Sequence, residues 1–270
     1  MLNLKRVIGL AVTAALFVGM PVQANEVIKL ATTTSTENSG LLKNLLPTFE
    51  AETGYKVQVI ATGTGKALKL ARQGDVDVVM THAPAAEAKF VSEGYGRLPR
   101  GIMENDFVIL GPKNDPAKIR PSDSAEAAFA KIAKSGAPFI SRGDNSGTNM
   151  KELILWNKAD VKPDFAGYTS VGQGMGKTLL MANELQGYTL SDRGTFVAYS
   201  GKIDLAVDFD GGKALANPYQ IMLINAEKYP DLNHKGAKAL SDWLIGAEAQ
   251  GMINNYKVQG EQLFKATYSE

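Results

Sequence analysis

The stretch SRGDNSGT at residues 141–148 does most to decide the fold of this chain. It follows the apolar run Ala137–Ile140 and precedes a second hydrophobic stretch, Met150–Trp156. This order predicts a strand, a tight turn with glycines and the start of a helix. The turn supplies a guanidinium, two hydroxyls and the free N–H groups of a helix N-terminus. It therefore predicts a site that donates hydrogen bonds to an anion.

The first 24 residues have the pattern of a secretory signal peptide. Lys5 and Arg6 precede the apolar stretch Val7–Met20, and Val22–Ala24 forms a small-x-small cleavage site. We expect cleavage to leave a chain that starts near Asn25 and works in the periplasm. An uncleaved signal anchor is the alternative.

The composition narrows the range of partners and cofactors. With 29 basic and 28 acidic residues the chain is nearly neutral, which argues against nucleic acid or anionic lipid as a partner. The absence of cysteine excludes disulfides, thiolate metal sites and a cysteine nucleophile. His82 and His234 are the two histidines, and their spacing does not fit a metal site.

Strand and helix patterns alternate along the chain, which is typical of an α/β fold with helices on both faces of a sheet. Strand patterns occur at 26–31, 55–60, 76–80, 107–110, 203–207 and 219–224. Helix patterns occur at 41–53, 66–72, 125–134, 175–185, 195–199 and 237–247.

Four turns at strand-to-helix junctions are rich in serine, threonine or glycine. They are Thr32–Thr36, Gly63–Gly65, Ser146–Thr148 and Ser170–Gly174. Ligands of open α/β sheets bind at the carboxyl ends of strands, where hydroxyl groups and glycine backbone can approach them. Helix capping alone explains a single turn of this kind. Five consecutive hydroxyl residues at 32–36 exceed that need, so we predict a shared anion site.

Other motifs do not fit a catalytic or nucleotide site. Residues 172–178 end in GKT, but three residues separate the glycines where a nucleotide loop requires four. Ser146 stands one position late for a nucleophile elbow. We interpret His82 as a strand-end histidine in a polar cleft, with a catalytic role as the alternative.

Several stretches together resemble tungstate-binding proteins of ABC importers. The resemblance lies in residues 30–42 (LATTTSTENSGLL), 61–67, 74–78, 141–148, 172–177 and 187–195, and so extends over essentially the whole mature chain. The pattern Arg-x-Asp-x-Ser-Gly-Thr at 142–148 is shared with phosphate receptors.

The resemblance implies the fold of a two-lobed periplasmic binding protein of type II. Each lobe is expected to be a mixed, mostly parallel sheet flanked by helices, with the ligand in the cleft between the lobes. Two segments are expected to cross between the lobes, near Phe107–Gly111 and near Val207–Asn217. Lobe one would comprise residues 25–108 plus 217–270, and lobe two residues 109–216.

The resemblance also implies which residues bind the anion. From lobe one they are Thr33, Thr34, Ser35, Gly63 and Thr64. From lobe two they are Arg142, Ser146, Gly147, Thr148 and the backbone of Val171 and Gly172. Asp144 is expected to orient Arg142 rather than to contact the anion. No catalytic residue and no direct metal ligand is expected, because tungsten would be bound as its oxyanion.

One departure from the phosphate receptors bears on the ligand. Those of this class carry an aspartate after the third strand, and it accepts the proton of monohydrogen phosphate. The corresponding stretch Val78–Ala83 has no carboxylate. A fully deprotonated dianion has no proton to donate, and a buried acceptor would repel it. The stretch therefore favours tungstate or molybdate over phosphate.

The predicted function is a periplasmic receptor, not an enzyme, that captures tungstate and delivers it to the permease and ATPase of an ABC importer. A monomer without any cofactor is expected. A receptor for molybdate, sulfate or phosphate, a periplasmic hydrolase using Ser146 or His82, and a sensor subunit for a membrane kinase remain alternatives. The preference for tungstate over molybdate stays open, because the two anions have nearly equal size and charge.

Overall fold

The computed structural model describes residues 26–268, and the predicted signal peptide lies outside them. The strands are β1 (Val27–Thr33), β2 (Lys56–Thr62), β3 (Val78–Thr81), β4 (Gly96–Gly111), β5 (Phe139–Ser141), β6 (Tyr168–Ser170), β7 (Thr189–Asp192), β8 (Ala206–Phe209), β9 (Ala216–Ile224), β10 (Lys257–Val258), β11 (Glu261–Gln262) and β12 (Lys265–Ala266). The helices are α1 (Thr34–Asn38), α2 (Leu41–Thr53), α3 (Thr64–Gln73), α4 (Pro84–Ser92), α5 (Ala125–Ser135), α6 (Gly147–Lys158), α7 (Met175–Glu184), α8 (Arg193–Tyr199), α9 (His234–Leu244) and α10 (Ala247–Asn255), with 3-10 turns at Ser200–Lys202 and Lys213–Leu215.

The first half of β4 belongs to a sheet with the strand order β12-β4-β9-β3-β1-β2. Alternation along the buried strands sends side chains to both faces. Leu30 packs in a core that contains Leu45 and Leu240, whereas the adjacent Ala31 packs in a core that contains Leu68 and Phe90. Helices α2 and α9 therefore cover one face, and α3 and α4 the other.

The second half of β4 belongs to a different group of strands. The pairing of β4 with β9 extends to Asp106↔Ala216, and pairing with β7 begins at Phe107↔Asp192. Strands β5 and β6 are parallel, and a bridge from Phe139 to Tyr188 connects them to β7. This second group has its own core, in which Phe129, Phe139 and Trp156 pack together.

The predicted α/β fold, with a mixed sheet flanked by helices, is confirmed. The expectation that the sheets are mostly parallel holds for β1–β2, β1–β3 and β5–β6, but it is wrong for the central strands. Strand β4 is 16 residues long, and β7, β8, β9 and β12 all run antiparallel to it. Its first half was not predicted, because exposed and charged positions there hide the strand pattern.

Helix α8 connects the two groups of strands. Its residue Phe196 packs against the core that contains Leu30 and against a further cluster that contains Val108 and Leu179, and Val197 packs within the first of these. At its start, Arg193 donates two hydrogen bonds to Asp106, of 2.8 and 2.6 Å, and one of 2.7 Å to Asp210. Asp106 and Asp210 lie on the two chain segments that join the strand groups, so one guanidinium binds both segments.

Within residues 26–268, no helix combines the length and the apolar character that crossing a bilayer requires.

Candidate functional site

The turn between β5 and α6 is held in an unusual backbone conformation. Gly143 and Asn145 have φ angles of 59° and 57°, in the left-handed region. A Cβ atom on Gly143 would lie 1.7 Å from Ser170 Oγ, so only glycine fits against the end of β6. The close approach places the turns after β5 and β6 side by side.

Arg142 is buried in this turn, with 3% of its surface exposed. Its Nη2 donates to Asp144 Oδ2 at 2.6 Å, and Asp144 Oδ1 accepts from the Ser146 N–H at 3.2 Å. The Arg142 Nε–H is buried and meets no acceptor among the described residues. Asp144 thus fixes the guanidinium from one side, as expected for an orienting residue, and leaves a donor for something else.

Helix α6 begins at the same turn. Ser146 caps it, because its Oγ accepts from the Asn149 N–H at 3.2 Å. Gly147 and Thr148 follow as buried residues of the first turn, and the Thr148 hydroxyl has no partner within residues 26–268. The N-terminus of α6 therefore begins in the same turn that holds Arg142.

A buried carboxyl group supports the turn from behind. Glu152 accepts from Ser141 Oγ at 2.6 Å, from Trp156 Nε1 at 3.0 Å and from the Tyr168 hydroxyl at 2.9 Å. Burial raises the pKa of Glu152, although these hydrogen bonds oppose the rise. The network ties β5, α6 and β6 together, so the position of the Arg142 turn is defined by packing.

The hydroxyl-rich turn after β1 forms a compact cluster. Thr33 caps α1 by accepting from the Thr36 N–H at 3.3 Å. Thr33 Oγ1 also lies 2.7 Å from Thr36 Oγ1 and 3.1 Å from Ser35 Oγ. Thr34, the first residue of α1, is half-buried. Capping uses one oxygen of this cluster, and the remaining hydroxyls form a buried polar surface.

His82 connects that cluster to the rest of the site. Its Nε2 lies 3.2 Å from Ser35 Oγ, and its Nδ1 lies 2.8 Å from Asn217 Oδ1. The Tyr219 ring stacks on the imidazole with a centroid separation of 4.7 Å. Burial lowers the pKa of His82, so the ring is neutral near pH 7.

The turn after β2 meets the turn before α6. A Cβ atom on Gly147 would lie 3.2 Å from Thr64 Oγ1 and 2.8 Å from His82 Cε1. A Cβ atom on Gly63 would lie 3.9 Å from the Asp144 carbonyl oxygen. Thr64 is fully buried, and its hydroxyl finds no partner in the described part of the chain. Residues from both groups of strands are therefore in direct contact here.

The turn after β6 lies beside Arg142, and one of its two predicted N–H donors is already used within the protein. The Val171 N–H donates to the Ser141 carbonyl at 3.0 Å and is not available as a free donor. The Gln173 N–H donates to the Arg142 carbonyl at 3.2 Å, which holds this turn beside the arginine. Gly172 is exposed, with a φ angle of 63°. Of the predicted Val171–Gly172 pair, only Gly172 retains an N–H group without an acceptor among residues 26–268.

Sequence reasoning missed the parts of the site that depend on distant contacts. His82 and Asn217 are 135 positions apart, and no local pattern connects them. Glu152 gave a weak signal, as a carboxyl group among the buried positions of α6. In the part of the chain that the structure describes, no cluster of three or more histidine, aspartate or glutamate side chains is arranged to hold a metal ion.

Comparisons with known proteins agree with this architecture. A family model described as a PBP superfamily domain matches residues 21–248. A crystal structure described as the tungstate ABC transporter from Geobacter sulfurreducens has a TM-score of 0.79 at 50% identity, over 86% of this chain and 99% of that one. Fold and site thus define a periplasmic substrate-binding protein, as predicted.

Two tungstate-binding proteins named TupA narrow the class. The protein from Peptoclostridium acidaminophilum is 43% identical over 87% of this chain and 82% of its own length. The structure of that from Desulfovibrio alaskensis has a TM-score of 0.80 at 40% identity, over 90% of this chain and all of that one. The chain belongs to the tungstate-binding family of ABC-transporter substrate-binding proteins. This family consists of transport receptors and not enzymes. The predicted family and the prediction that the chain is not an enzyme are both confirmed.

Proposed function

We propose that this chain captures tungstate in the periplasm and delivers it to the permease and ATPase of an ABC importer. The relatives named above support the ligand and the transporter. Molybdate is the second candidate ligand, because its size and charge are nearly the same. The cleaved signal peptide at residues 1–24 is part of the proposal, as is a monomeric state.

The observation that carries the proposal is a set of three buried donors. Thr64 Oγ1, Arg142 Nε and Thr148 Oγ1 are buried, and each has no hydrogen-bond partner among residues 26–268. Leaving a buried donor unpaired costs about 1–3 kcal/mol, and more for a charged group. All three belong to turns that the sequence assigns to one anion site. A ligand with several acceptor oxygens would satisfy them together.

The strength of these interactions is sufficient for tight binding. A hydrogen bond to a charged partner contributes roughly 1.5–3 kcal/mol. Five or six such bonds, less an association cost of about 4 kcal/mol or more, can reach the −12 kcal/mol that corresponds to nanomolar affinity. The three unpaired donors, the hydroxyl cluster and the α6 N-terminus supply this number.

A division into two lobes, residues 25–108 plus 217–270 and residues 109–216, is part of the proposal. Its support is the change of partner along β4 at Asp106 and Phe107, together with the separate cores. The contact of Gly147 with Thr64 and His82 then lies between the lobes. An anion held there would contact both lobes, and closure around it would exclude water.

A hydrolase is not favoured by the geometry. A serine nucleophile needs a base within hydrogen-bond reach. Ser146 Oγ is used as the cap of α6. The two nitrogens of His82 face Ser35 and Asn217 instead. Among residues 26–268, Ser146 and His82 are not hydrogen-bonded to each other, so the alternative of a hydrolase using Ser146 or His82 has no Ser146–His82 pair to support it.

Competition calorimetry tests the proposed ligand. The protein would be titrated with tungstate, molybdate, sulfate and phosphate, each alone and against bound tungstate. We expect nanomolar binding of tungstate and at least about 100-fold weaker binding of sulfate and phosphate, a difference of about 2.7 kcal/mol. Equal or tighter binding of phosphate would overturn the assignment. Turnover of a phosphate or carboxylate ester would instead favour the hydrolase.

A further inference from the structure

His82 is placed where it contacts both halves of the site. Its Nε2 faces the Ser35 hydroxyl at 3.2 Å, and its Cε1 would lie 2.8 Å from a Cβ atom on Gly147. The side chain is 3% exposed. A titratable ring therefore lies between the hydroxyl cluster and the N-terminus of α6.

The neighbours of His82 fix which nitrogen can change its protonation. Asn217 Nδ2 donates to Asn105 Oδ1 at 2.6 Å, which turns Asn217 Oδ1 toward His82. The His82 Nδ1 therefore carries a hydrogen and donates to Asn217 at 2.8 Å. The neutral ring keeps its lone pair on Nε2, where it accepts the Ser35 hydroxyl hydrogen. A second proton would be bound at Nε2 without breaking the bond to Asn217.

The charges around the site leave a bound dianion incompletely balanced. Arg142 is paired with Asp144 at 2.6 Å, so part of its charge is already compensated. The Lys151 ammonium donates to the carbonyls of Ala214 and Ala216, at 3.1 and 3.0 Å. A buried charge without a matching countercharge is costly. A second positive charge next to the anion would lower that cost.

We propose that His82 supplies this charge by taking up a proton from solvent at Nε2 when the dianion binds. The Nε2–H then donates to Ser35 Oγ, and the Ser35 hydroxyl hydrogen is free to point at the anion. The proposal rests on the proposed function, because the probe is tungstate.

The free protein favours the neutral ring, because burial and two nearby cations disfavour a positive charge on it. Burial lowers the pKa of His82, and the charges of Arg142 and Lys151 act in the same direction. The bond to Asn217 and the charge of Asp192 oppose them. Asp192 is itself held by Thr195 of α8, and the neighbouring Tyr219 hydroxyl stays neutral because burial raises its pKa. A dianion in the site would add a strong attraction for the proton.

Proton uptake follows from linkage. If binding raises the pKa of His82, affinity is highest at acidic pH and falls as pH rises through the pKa of the bound state. Between the pKa of His82 in the free protein and its pKa in the tungstate complex, Kd increases roughly tenfold per pH unit. Over the same range, up to one proton per site is taken up on binding.

Calorimetry in two buffers of different ionisation enthalpy, PIPES and imidazole at about pH 7, measures this uptake directly. Tungstate is the probe, and the untagged wild type is compared with His82→Gln and His234→Gln. His234 is the matched control, because its Nε2 contacts the Tyr229 carbonyl away from the site. We expect proton uptake in the wild type and in His234→Gln, and none in His82→Gln. We also expect His82→Gln to weaken binding about tenfold or more at low pH and less at high pH.

NMR of the imidazole resonances keeps the test valid if His82→Gln does not fold. The wild type has two histidines, and His234→Gln assigns the signals. A neutral His82 in the free protein and an imidazolium in the tungstate complex would support the proposal. A ring that stays neutral in the complex, or the same proton uptake in His82→Gln, would overturn it. No tungstate binding at any pH would contradict the proposed function instead.

Discussion

Removal of the Arg142 side chain is the perturbation whose effect the structure predicts best. Arg142→Ala deletes a buried cation and its unpaired Nε donor. It also leaves the Asp144 carboxylate, now without its 2.6 Å partner, next to the incoming dianion. Breaking one partner of a buried ion pair costs about 3–5 kcal/mol. We expect the free energy of tungstate binding to weaken by at least about 3 kcal/mol, which is on the order of 100-fold or more in Kd.

Isothermal titration with tungstate is the assay, with Arg97→Ala as the matched control. Arg97 pairs with Glu227 at 3.3 Å on the surface, with 53% of its side chain exposed. Its removal should leave Kd unchanged. The double variant Arg142→Ala with Asp144→Ala should recover part of the loss, because the uncompensated carboxylate is gone. An unchanged affinity of Arg142→Ala would refute the placement of this residue in the site.

Three further changes test separate parts of the structure. Gly147→Ala places a Cβ atom 2.8 Å from the His82 ring, so calorimetry should show tungstate binding weakened by about 1–3 kcal/mol. A variant that binds tungstate as tightly as the wild type would contradict this contact. Burial raises the pKa of Glu87, so the stability of the wild type falls as the pH rises from the ordinary glutamate pKa through the raised pKa of Glu87. Thermal melts over this pH range should show a smaller fall for Glu87→Gln. The same dependence of melting temperature on pH in both proteins would contradict this prediction. Arg193→Ala loses its hydrogen bonds to Asp106, so denaturant titrations should show the fold destabilised by roughly 1–2 kcal/mol. The Kd for tungstate should change by less than about tenfold. A larger change in affinity would contradict the assignment of Arg193 to the fold rather than to the site.

The local spacing of apolar residues was sufficient to predict the helices in which that spacing is clearly periodic. The helix predicted at 41–53 is α2 with the same bounds, because its apolar residues face the core and Gly54 ends it in the left-handed region. The helix predicted at 237–247 is instead α9 followed by α10, since the chain breaks at Gly246, which caps α10. Helix α4 was not predicted, because only two of its residues are buried and its apolar period is weak.

The site shows the same division between local and distant information. The turns at 32–36, 63–65 and 141–148 could be found from sequence, since hydroxyls, glycine and arginine at strand ends have a local chemical meaning. The contacts that bring these turns together depend on His82, Asn217 and Asn105, which come from three different strands or strand ends. Side-chain pairs of that kind leave no periodic signal. The hydrogen bond from the Val171 N–H to the Ser141 carbonyl likewise depends on pairing between two strand ends.

A crystal of the tungstate complex, measured at the tungsten absorption edge, tests the central claim most directly. The account predicts one anomalous peak between the turns, with anion oxygens within hydrogen-bond distance of Thr64 Oγ1, Arg142 Nε and Thr148 Oγ1. A peak elsewhere, or a complex in which these three atoms do not contact the anion, would contradict it.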